Sequence, residues 1–312
     1  MGLKKCAVIG AGGVGATIAF TLGESGLFND IVIIDIDHRK AEGEALDISH
    51  GIQFLNTVDV YAGEYKDLAD AELVIITAGA NQLPGETRID LVGKNARIMK
   101  SIVENIVKYN KDCILLVVSN PADVLTMYAA ELSGFPKERV FGSGTVLDTS
   151  RLRYLLSEKF NIDSRNIHAF IIGEHGDSSL AVWSNADIAG VPIREYCQKF
   201  KNDACINLNS IYEEVRDSAY HIIERKGSTY YGIAVAVKRI AQAIVRDEHS
   251  ILPVSSFFNG EYGITDACLG MPSVVCRKGV INMIELSLDE EEKKKLIESA
   301  NTLKKVYASI EK

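Results

Sequence analysis

In the first half of the chain, short β-rich apolar runs alternate with longer segments of helical period. The runs are KCAVIG (5–10), IVIIDI (31–36), VDVYAG (58–63), ELVIIT (72–77), CILLVVS (113–119) and RVFGSG (139–144). Between the fourth and fifth, Asp90 to Tyr109 places Leu91, Ile98, Ile102, Ile106 and Tyr109 near one helical face. Strands alternating with helices predict βαβ units and a mostly parallel sheet. Strands that are apolar throughout, rather than at every second position, predict a sheet covered on both faces.

The second half is less regular. A helix is expected over 149–160, and NIHAFIIGEHGD reads as a buried strand running into a loop. NLNSIYEEVRDSAYHIIERKG and TYYGIAVAVKRIAQAIVRDE read as long helices. SILPVSSFFNGEYGITDACLGMPSVVCRKGVINMI carries strand and turn signals at hairpin spacing. The last helix is expected to open at a capping box, Ser287 to Glu290, and to pack through Leu296, Ala300, Leu303, Tyr307 and Ile310. The expected fold class is α/β. An N-terminal unit of alternating strands and helices, residues 1–145, precedes a second α/β unit, residues 146–312.

Composition narrows the function classes. The 312 residues carry a net charge of −8, which argues against broad binding to nucleic acid or to an anionic membrane. No apolar run approaches the roughly 18 residues of a membrane span, and the N-terminus enters a strand without a signal peptide. A soluble cytoplasmic protein is expected. The six cysteines show no CxxC spacing and several lie in apolar runs, so buried reduced thiols and no metal site are expected.

Gly10-Ala-Gly12-Gly-Val-Gly15 follows the first apolar run and opens a helix, and Asp35 ends the next strand twenty residues on. A bare GxGxxG is a weak signal, but strand, helix and acid together supply the context of a dinucleotide fingerprint. Gly10 makes the tight turn, Gly12 lets a pyrophosphate approach the backbone, and Gly15 lets helix and strand pack closely. The helix N-terminus receives the anion. Asp35 would take the ribose hydroxyls, and its charge favours NAD over a 2′-phosphorylated cofactor. The bland alternative is a glycine-rich turn with no ligand.

His175 lies in IIGEHGD, after an apolar run and between glycines. A lone histidine is more often structural than catalytic, yet Asp148 and Arg151 stand three apart at the start of a helix, and Arg88 follows a polar loop, GANQLPGET. A carboxylate beside an imidazole fixes its tautomer and favours its protonated form. A guanidinium can grip a carboxylate by two points, and a second can polarise a carbonyl. With a nicotinamide site, these parts describe hydride transfer to a 2-oxo acid.

GAGGVG, IDID, NQLPGETR, VVSNPADVLT, GSGTVLDTSRLR and GEHGDS, in this order, resemble the L-lactate and malate dehydrogenase superfamily. The resemblance runs from about residue 4 to the C-terminal helix. It implies a Rossmann domain followed by an α/β substrate domain, commonly in a homotetramer. It further implies His175 as general acid/base, Asp148 as its partner, Arg151 as the grip on the substrate carboxylate and Arg88 as the residue that polarises the reacting carbonyl from a closing loop. Asn120 falls near the nicotinamide and the substrate oxygen, Asp123 shares its motif, and Thr229 falls near the substrate methyl. Val14, Lys40, Tyr65, Gly79, Ala80, Ser101 and Ser143 fall where the family lines its dinucleotide site.

The resemblance also bears on the substrate. Malate-specific relatives carry an arginine where this chain has Gln82, so a second carboxylate would be buried against a neutral amide. That favours pyruvate and L-lactate; malate or a larger 2-hydroxy acid is the alternative, and a non-catalytic NAD-binding protein a remote one. Ser179 and Ala181 depart from the relatives' GDSELPVWS and would loosen the wall of the site. Arg153 and His168 match positions that bind fructose 1,6-bisphosphate in bacterial relatives, with an interface ion pair or an ordinary hydrogen-bonded histidine as the alternative.

Overall fold

A computed structural model of the protein describes residues 4–55, 57–80, 88–200 and 207–310, with Arg88 and Ile89 described by their backbone alone. Gln82 and the side chain of Arg88 therefore lie outside the described residues. The first half runs β1 (Lys5–Ile9), α1 (Gly13–Ser25), β2 (Asp30–Ile34), α2 (His38–Ile52), β3 (Asp59–Ala62), β4 (Leu73–Ile76), α3 (Arg88–Tyr109), β5 (Ile114–Val117), α4 (Ala122–Ser133) and β6 (Val140–Gly142). The second half continues with α5 (Val146–Phe160), β7 (Ile167–His168), β8 (Ile171–Ile172), β9 (Leu180–Ala181), β10 (Asp187–Ile188), β11 (Val191–Pro192) and α6 (Ile193–Phe200). It ends with α7 (Leu208–Lys226), α8 (Tyr231–Val245), β12 (Ser250–Asn259), β13 (Thr265–Cys276), β14 (Gly279–Met283) and α9 (Glu290–Ala308).

The parallel strands lie in the order β3-β2-β1-β4-β5-β6, the doubly wound order of a Rossmann fold. Successive residues of each strand feed opposite cores. Ala7, Ile9, Val74, Ile76, Leu115 and Val117 pack toward α3, α4 and α9. Cys6, Val8, Leu73, Ile75, Ile114 and Leu116 pack toward α1, α2 and α8. This two-sided burial is why the strands read as unbroken apolar runs. A third core joins α5, α6, α7 and the short strands β7 to β10.

Three features depart from the sequence reading. The second half does not keep its strands to itself: β12 pairs antiparallel with β6 through Ser255 and Gly142, so β12, β13 and β14 prolong the main sheet to nine strands. NIHAFIIG is not one strand. β7 joins β10 and β11, while β8 pairs with β9, and uniform apolarity conceals the break at Ala169–Phe170. The last helix caps two residues later than expected, with Asp289 accepting from Glu292 N–H and Glu292 accepting from Asp289 N–H. Its packing stripe is as expected, with Leu296, Ala300, Leu303 and Ile310 buried. Cys6, Cys113, Cys268 and Cys276 are free and buried, whereas Cys197 is disulfide-bonded, contrary to the expectation of thiols throughout. Among the described residues no helix is long and apolar enough to cross a membrane.

Candidate active site

Two cavities open at the carboxyl ends of the parallel strands. The first, about 690 Å³, is lined by Gly10, Gly12, Asp35, Lys40, Tyr65, Gly79, Ala80 and Ser101, together with apolar side chains that include Ile98 and Ile102. Gly10 has φ +110, a region closed to most side chains, and a Cβ there would meet Ala78 N at 2.6 Å. A Cβ on Gly15 would meet Gly10 O at 1.8 Å, so α1 can lie against β1 only with glycine at this point. A Cβ on Gly12 would meet nothing within 4 Å, which leaves the start of α1 open to a ligand. Gly12 caps that helix with no side chain, and its first turn holds no acid, so its free N–H groups suit a phosphate.

Asp35 lies against the glycine turn. Its Oδ2 accepts from Ala11 N–H at 2.6 Å and its Oδ1 from Asp37 N–H at 2.9 Å, which fixes the carboxylate beside the glycine turn. Burial, reinforced by the charge of Asp35, raises the Tyr65 phenol above its ordinary value. An open glycine turn with one fixed carboxylate beside it fits the pyrophosphate and ribose of a dinucleotide. Val14 and Ser143 do not line this cavity. Val14 packs against the core, and Ser143 is buried with its N–H on Val117 O.

The second cavity, about 380 Å³, is lined by Asn120, Asp148, Arg151, His175, Asp177 and Ser179 and by Leu91, Val92, Val215, Arg216, Ala219 and Tyr220. Asp148 lies in the first turn of α5 and holds two partners at once. Its Oδ2 is 2.6 Å from His175 Nδ1 and its Oδ1 accepts from Arg151 at 2.9 Å. The charge of Asp148 raises the His175 imidazole from 6.5 to about 9, against the opposing effect of burial. Burial pushes the Asp148 carboxyl upward, but the His175 and Arg151 charges outweigh it and hold it below the usual carboxylate range. His175 Nδ1 thus carries the proton shared with Asp148, and Nε2 is left to a ligand.

The main chain of His175 is held separately. Its N–H donates to Asp123 Oδ2 at 2.6 Å, and Ser255 Oγ donates to Asp123 Oδ1. Asp123 is fully enclosed, and burial pushes it up to about 6. Asp123 therefore holds the loop that carries His175 rather than lining the cavity. Asn120 lines the substrate cavity, not the dinucleotide one. Thr229, half-buried between α7 and α8, lines neither.

Several residues at the site escaped the sequence reading. Asn95, in α3, is buried; its Oδ1 accepts from Ala80 N–H at 2.7 Å, and its Nδ2 donates to Ala80 O at 3.2 Å and Asn120 O at 2.8 Å. It ties the wall of one cavity to the other. Val215, Arg216, Ala219 and Tyr220 bring a face of α7 over the substrate cavity, and Tyr220 OH donates to Asp177 at 3.2 Å. A helical period shows that such a face exists but not what it covers. Ser179, one of the two departures from the family pattern, lines the cavity, and its carbonyl accepts from Tyr212 OH.

Arg153 and His168 lie away from both cavities. His168 is on the exposed side of β7, opposite Asp187 of β10. Arg153 Nε donates to Ala169 O at 3.1 Å, and its guanidinium lies 5.2 Å from the Phe170 ring centre. Burial lowers the Arg153 pKa, partly countered by the charge of Asp187.

Comparison with known proteins agrees with this architecture. Residues 4–142 match the family model for the lactate/malate dehydrogenase NAD binding domain, and residues 145–312 match the α/β C-terminal domain of the same family. An L-lactate dehydrogenase of Acetivibrio thermocellus is 53% identical over 99% of this chain and 98% of its own length. L-lactate dehydrogenase 1 of Clostridium acetobutylicum is 56% identical over 98% of both chains. A solved minor L-lactate dehydrogenase of Enterococcus mundtii superposes with a TM-score of 0.96 at 42% identity over 99% of each chain. A lactate dehydrogenase from a Medee basin deep-sea metagenome library superposes equally well, at 47% identity and the same coverage. The glycine-lined cavity lies in the matched NAD-binding domain, and NAD is the cofactor. The chain belongs to the lactate/malate dehydrogenase family.

Proposed function

We propose that the chain is an NAD-dependent L-lactate dehydrogenase, interconverting pyruvate and L-lactate. The observation that carries this reading is the array of His175, Asp148 and Arg151, joined by contacts of 2.6 and 2.9 Å and facing a cavity beside the dinucleotide site. When bound, NADH supplies the hydride. Arg151 binds the substrate carboxylate: its contact with Asp148 leaves guanidinium donors for a second partner. His175, protonated at neutral pH, gives a proton to the substrate oxygen through Nε2, and Asp148 stabilises the charged ring until it does so. In lactate oxidation neutral His175 takes the proton back. We assign the polarising charge to Arg88 and the dinucleotide contacts to Gly10, Gly12, Asp35, Lys40, Tyr65, Gly79, Ala80 and Ser101. Residues 1–145 form the cofactor unit and 146–312 the substrate unit in this reading.

Pyruvate is preferred over oxaloacetate because Gln82 offers a second carboxylate no counter-charge. An ion left unpaired in a closed site costs several kcal/mol, and each 1.4 kcal/mol is about a tenfold change in specificity. Arg153, a desolvated residue of α5 whose guanidinium donates to Ala169 O, the residue after His168, supports a fructose 1,6-bisphosphate site between subunits of a cytoplasmic homotetramer. The test is NADH oxidation with pyruvate and with oxaloacetate, each with and without the bisphosphate. Pyruvate should be the better substrate by about a thousandfold in kcat/KM. Gln82→Arg should shift that ratio toward oxaloacetate. A wild-type preference for oxaloacetate contradicts the assignment, and a pyruvate KM indifferent to the bisphosphate removes the regulatory part.

A further inference from the structure

Outside the linings of both cavities, the turn between α8 and β12 meets the end of β13. Asp247, His249 and Cys276 each offer a donor atom there, and these atoms lie within 4.8 Å of one another. We propose that the three residues form a site for a borderline divalent transition ion of the zinc class, with water in the fourth position.

The surrounding bonds arrange the donors for that purpose. His249 Nδ1 lies 3.1 Å from the Asp247 carbonyl, so Nδ1–H donates there and Nε2 keeps its lone pair for a ligand. Asp247 Oδ1 accepts from Arg277 N–H at 3.0 Å, which leaves Oδ2 for the ion. Between them Glu248 turns the other way. It binds Arg239 at 2.7 Å, Gln242 at 2.8 Å and Ser250 at 2.9 Å, pinning the turn so that its two neighbours share the side that faces Cys276. Cys276 is free and buried, offering sulfur from the core side, while Asp247 and His249 are exposed and approach from solvent.

The backbone is also unusual at the two solvent-side ligands. Asp247 has φ +55 and His249 φ +54, the left-handed region that side chains other than glycine rarely occupy. Two such residues flanking one position bring both side chains to the same edge. Strain of this kind is retained where the position of a side chain matters.

Donor chemistry selects the ion. Thiolate, imidazole and carboxylate suit zinc or a neighbouring transition ion, whereas magnesium and calcium take oxygen ligands. Metal–donor lengths of about 2.0 to 2.3 Å place tetrahedral donors roughly 3.3 to 3.8 Å apart. Closing from 4.8 Å needs a shift of about an ångström, within reach of the two exposed side chains. An aspartate and a thiolate neutralise a divalent ion. The site takes no part in hydride transfer; it would clip the α8–β12 turn to the β13–β14 turn. Cysteine spacing conceals it, because one thiol from a strand end joins a D-x-H turn almost thirty residues earlier.

The test uses full-length protein stripped with a chelator and titrated with Co²⁺ alone. One equivalent should raise a near-ultraviolet thiolate-to-cobalt band, which Zn²⁺ then displaces. His249→Ala alters an exposed side chain and should weaken Co²⁺ binding about a hundredfold while leaving the metal-free melting temperature unchanged. Cys276→Ser should abolish the band. Zn²⁺ should raise the melting temperature of the wild type and of neither variant. Absence of the band in the wild type, or an unchanged band in either variant, overturns the proposal.

Discussion

The first cavity is lined by the turns that follow β1, β2 and β4 and by one stretch of α3, whereas the second gathers side chains from the start of α3, from α5 and α7 and from the loops after β5 and β8. In the first, the decisive positions are main chain: Gly10 and Gly15 permit a close approach, and Asp35 is held by backbone N–H groups. In the second, the decisive positions are side chains that hold one another, with Asp148 between a protonated imidazole and a guanidinium. The two kinds of construction should fail differently. A backbone site fails by steric exclusion, and binding is lost. An array of charges fails in its protonation and orientation, and chemistry is lost while binding survives.

The largest effect that could break this contrast comes from paired variants. His175→Ala should lower turnover by about a hundred- to ten-thousandfold, since general acid–base catalysis is worth that much, while NADH affinity stays within a fewfold of the wild type. Gly15→Ala should do the reverse. Its Cβ would stand 1.8 Å from Gly10 O, and relief must come from moving α1 off β1. Overpacking costs about 1–3 kcal/mol, which corresponds to roughly a 5- to 150-fold loss of NADH affinity if it falls on the bound state. Fluorescence titration with NADH and steady-state turnover separate the two. Equal loss of NADH binding in both variants would erase the distinction.

The same contrast explains what the sequence made legible. The glycine turn and Asp35 belong to one βαβ unit, so spacing along the chain is close to spacing in space. The array of His175, Asp148 and Arg151 spans two elements, and residue types suggested its chemistry while the family resemblance supplied its membership. The face of α7 was not legible: the sequence marks a long helix there, and only tertiary packing brings Val215, Ala219 and Tyr220 to the second cavity. Nor was the passage of β12 to β14 into the main sheet, because hairpin signals specify a partner within the hairpin and not the strand on its outer edge. The capping box slipped from Ser287 to Asp289 because both positions carry a good N-cap residue, and each has a glutamate three residues on.

Protonation offers the next test. The His175 imidazole, raised to about 9 chiefly by Asp148, is charged across the neutral range. The reduction of pyruvate consumes that proton. Its kcat/KM should therefore be flat near neutrality and fall about tenfold per pH unit above about 9, with lactate oxidation rising over the same interval. The linked stability has the same sign. The pair stabilises the fold fully below 6.5, the ordinary value of the imidazole, and loses that contribution as pH rises through about 9. Asp148→Asn should draw the kinetic break down toward 6.5. A wild-type break already at 6.5 would mean that Asp148 does not charge the ring.

The smallest effect probes the connection between the two cavities. Asn95 is buried, and its amide binds Ala80 N–H, Ala80 O and Asn120 O, so one side chain sets the spacing between a dinucleotide wall and a substrate wall. In Asn95→Ala those main-chain groups lose their partner. A buried polar group left unsatisfied costs about 1–3 kcal/mol, so the melting temperature should fall by a few degrees. If the amide acts only on stability, KM values for NADH and pyruvate stay where they were. If it holds the two walls in register, both rise together by less than about tenfold, the range that the same 1–3 kcal/mol allows when only part of it falls on the bound state. Asn95→Asp retains an acceptor for Ala80 N–H but loses both donors, and should restore NADH affinity before pyruvate affinity, because Ala80 lines the first cavity and Asn120 the second. A change in one KM alone, in either variant, would show that the cavities are positioned independently.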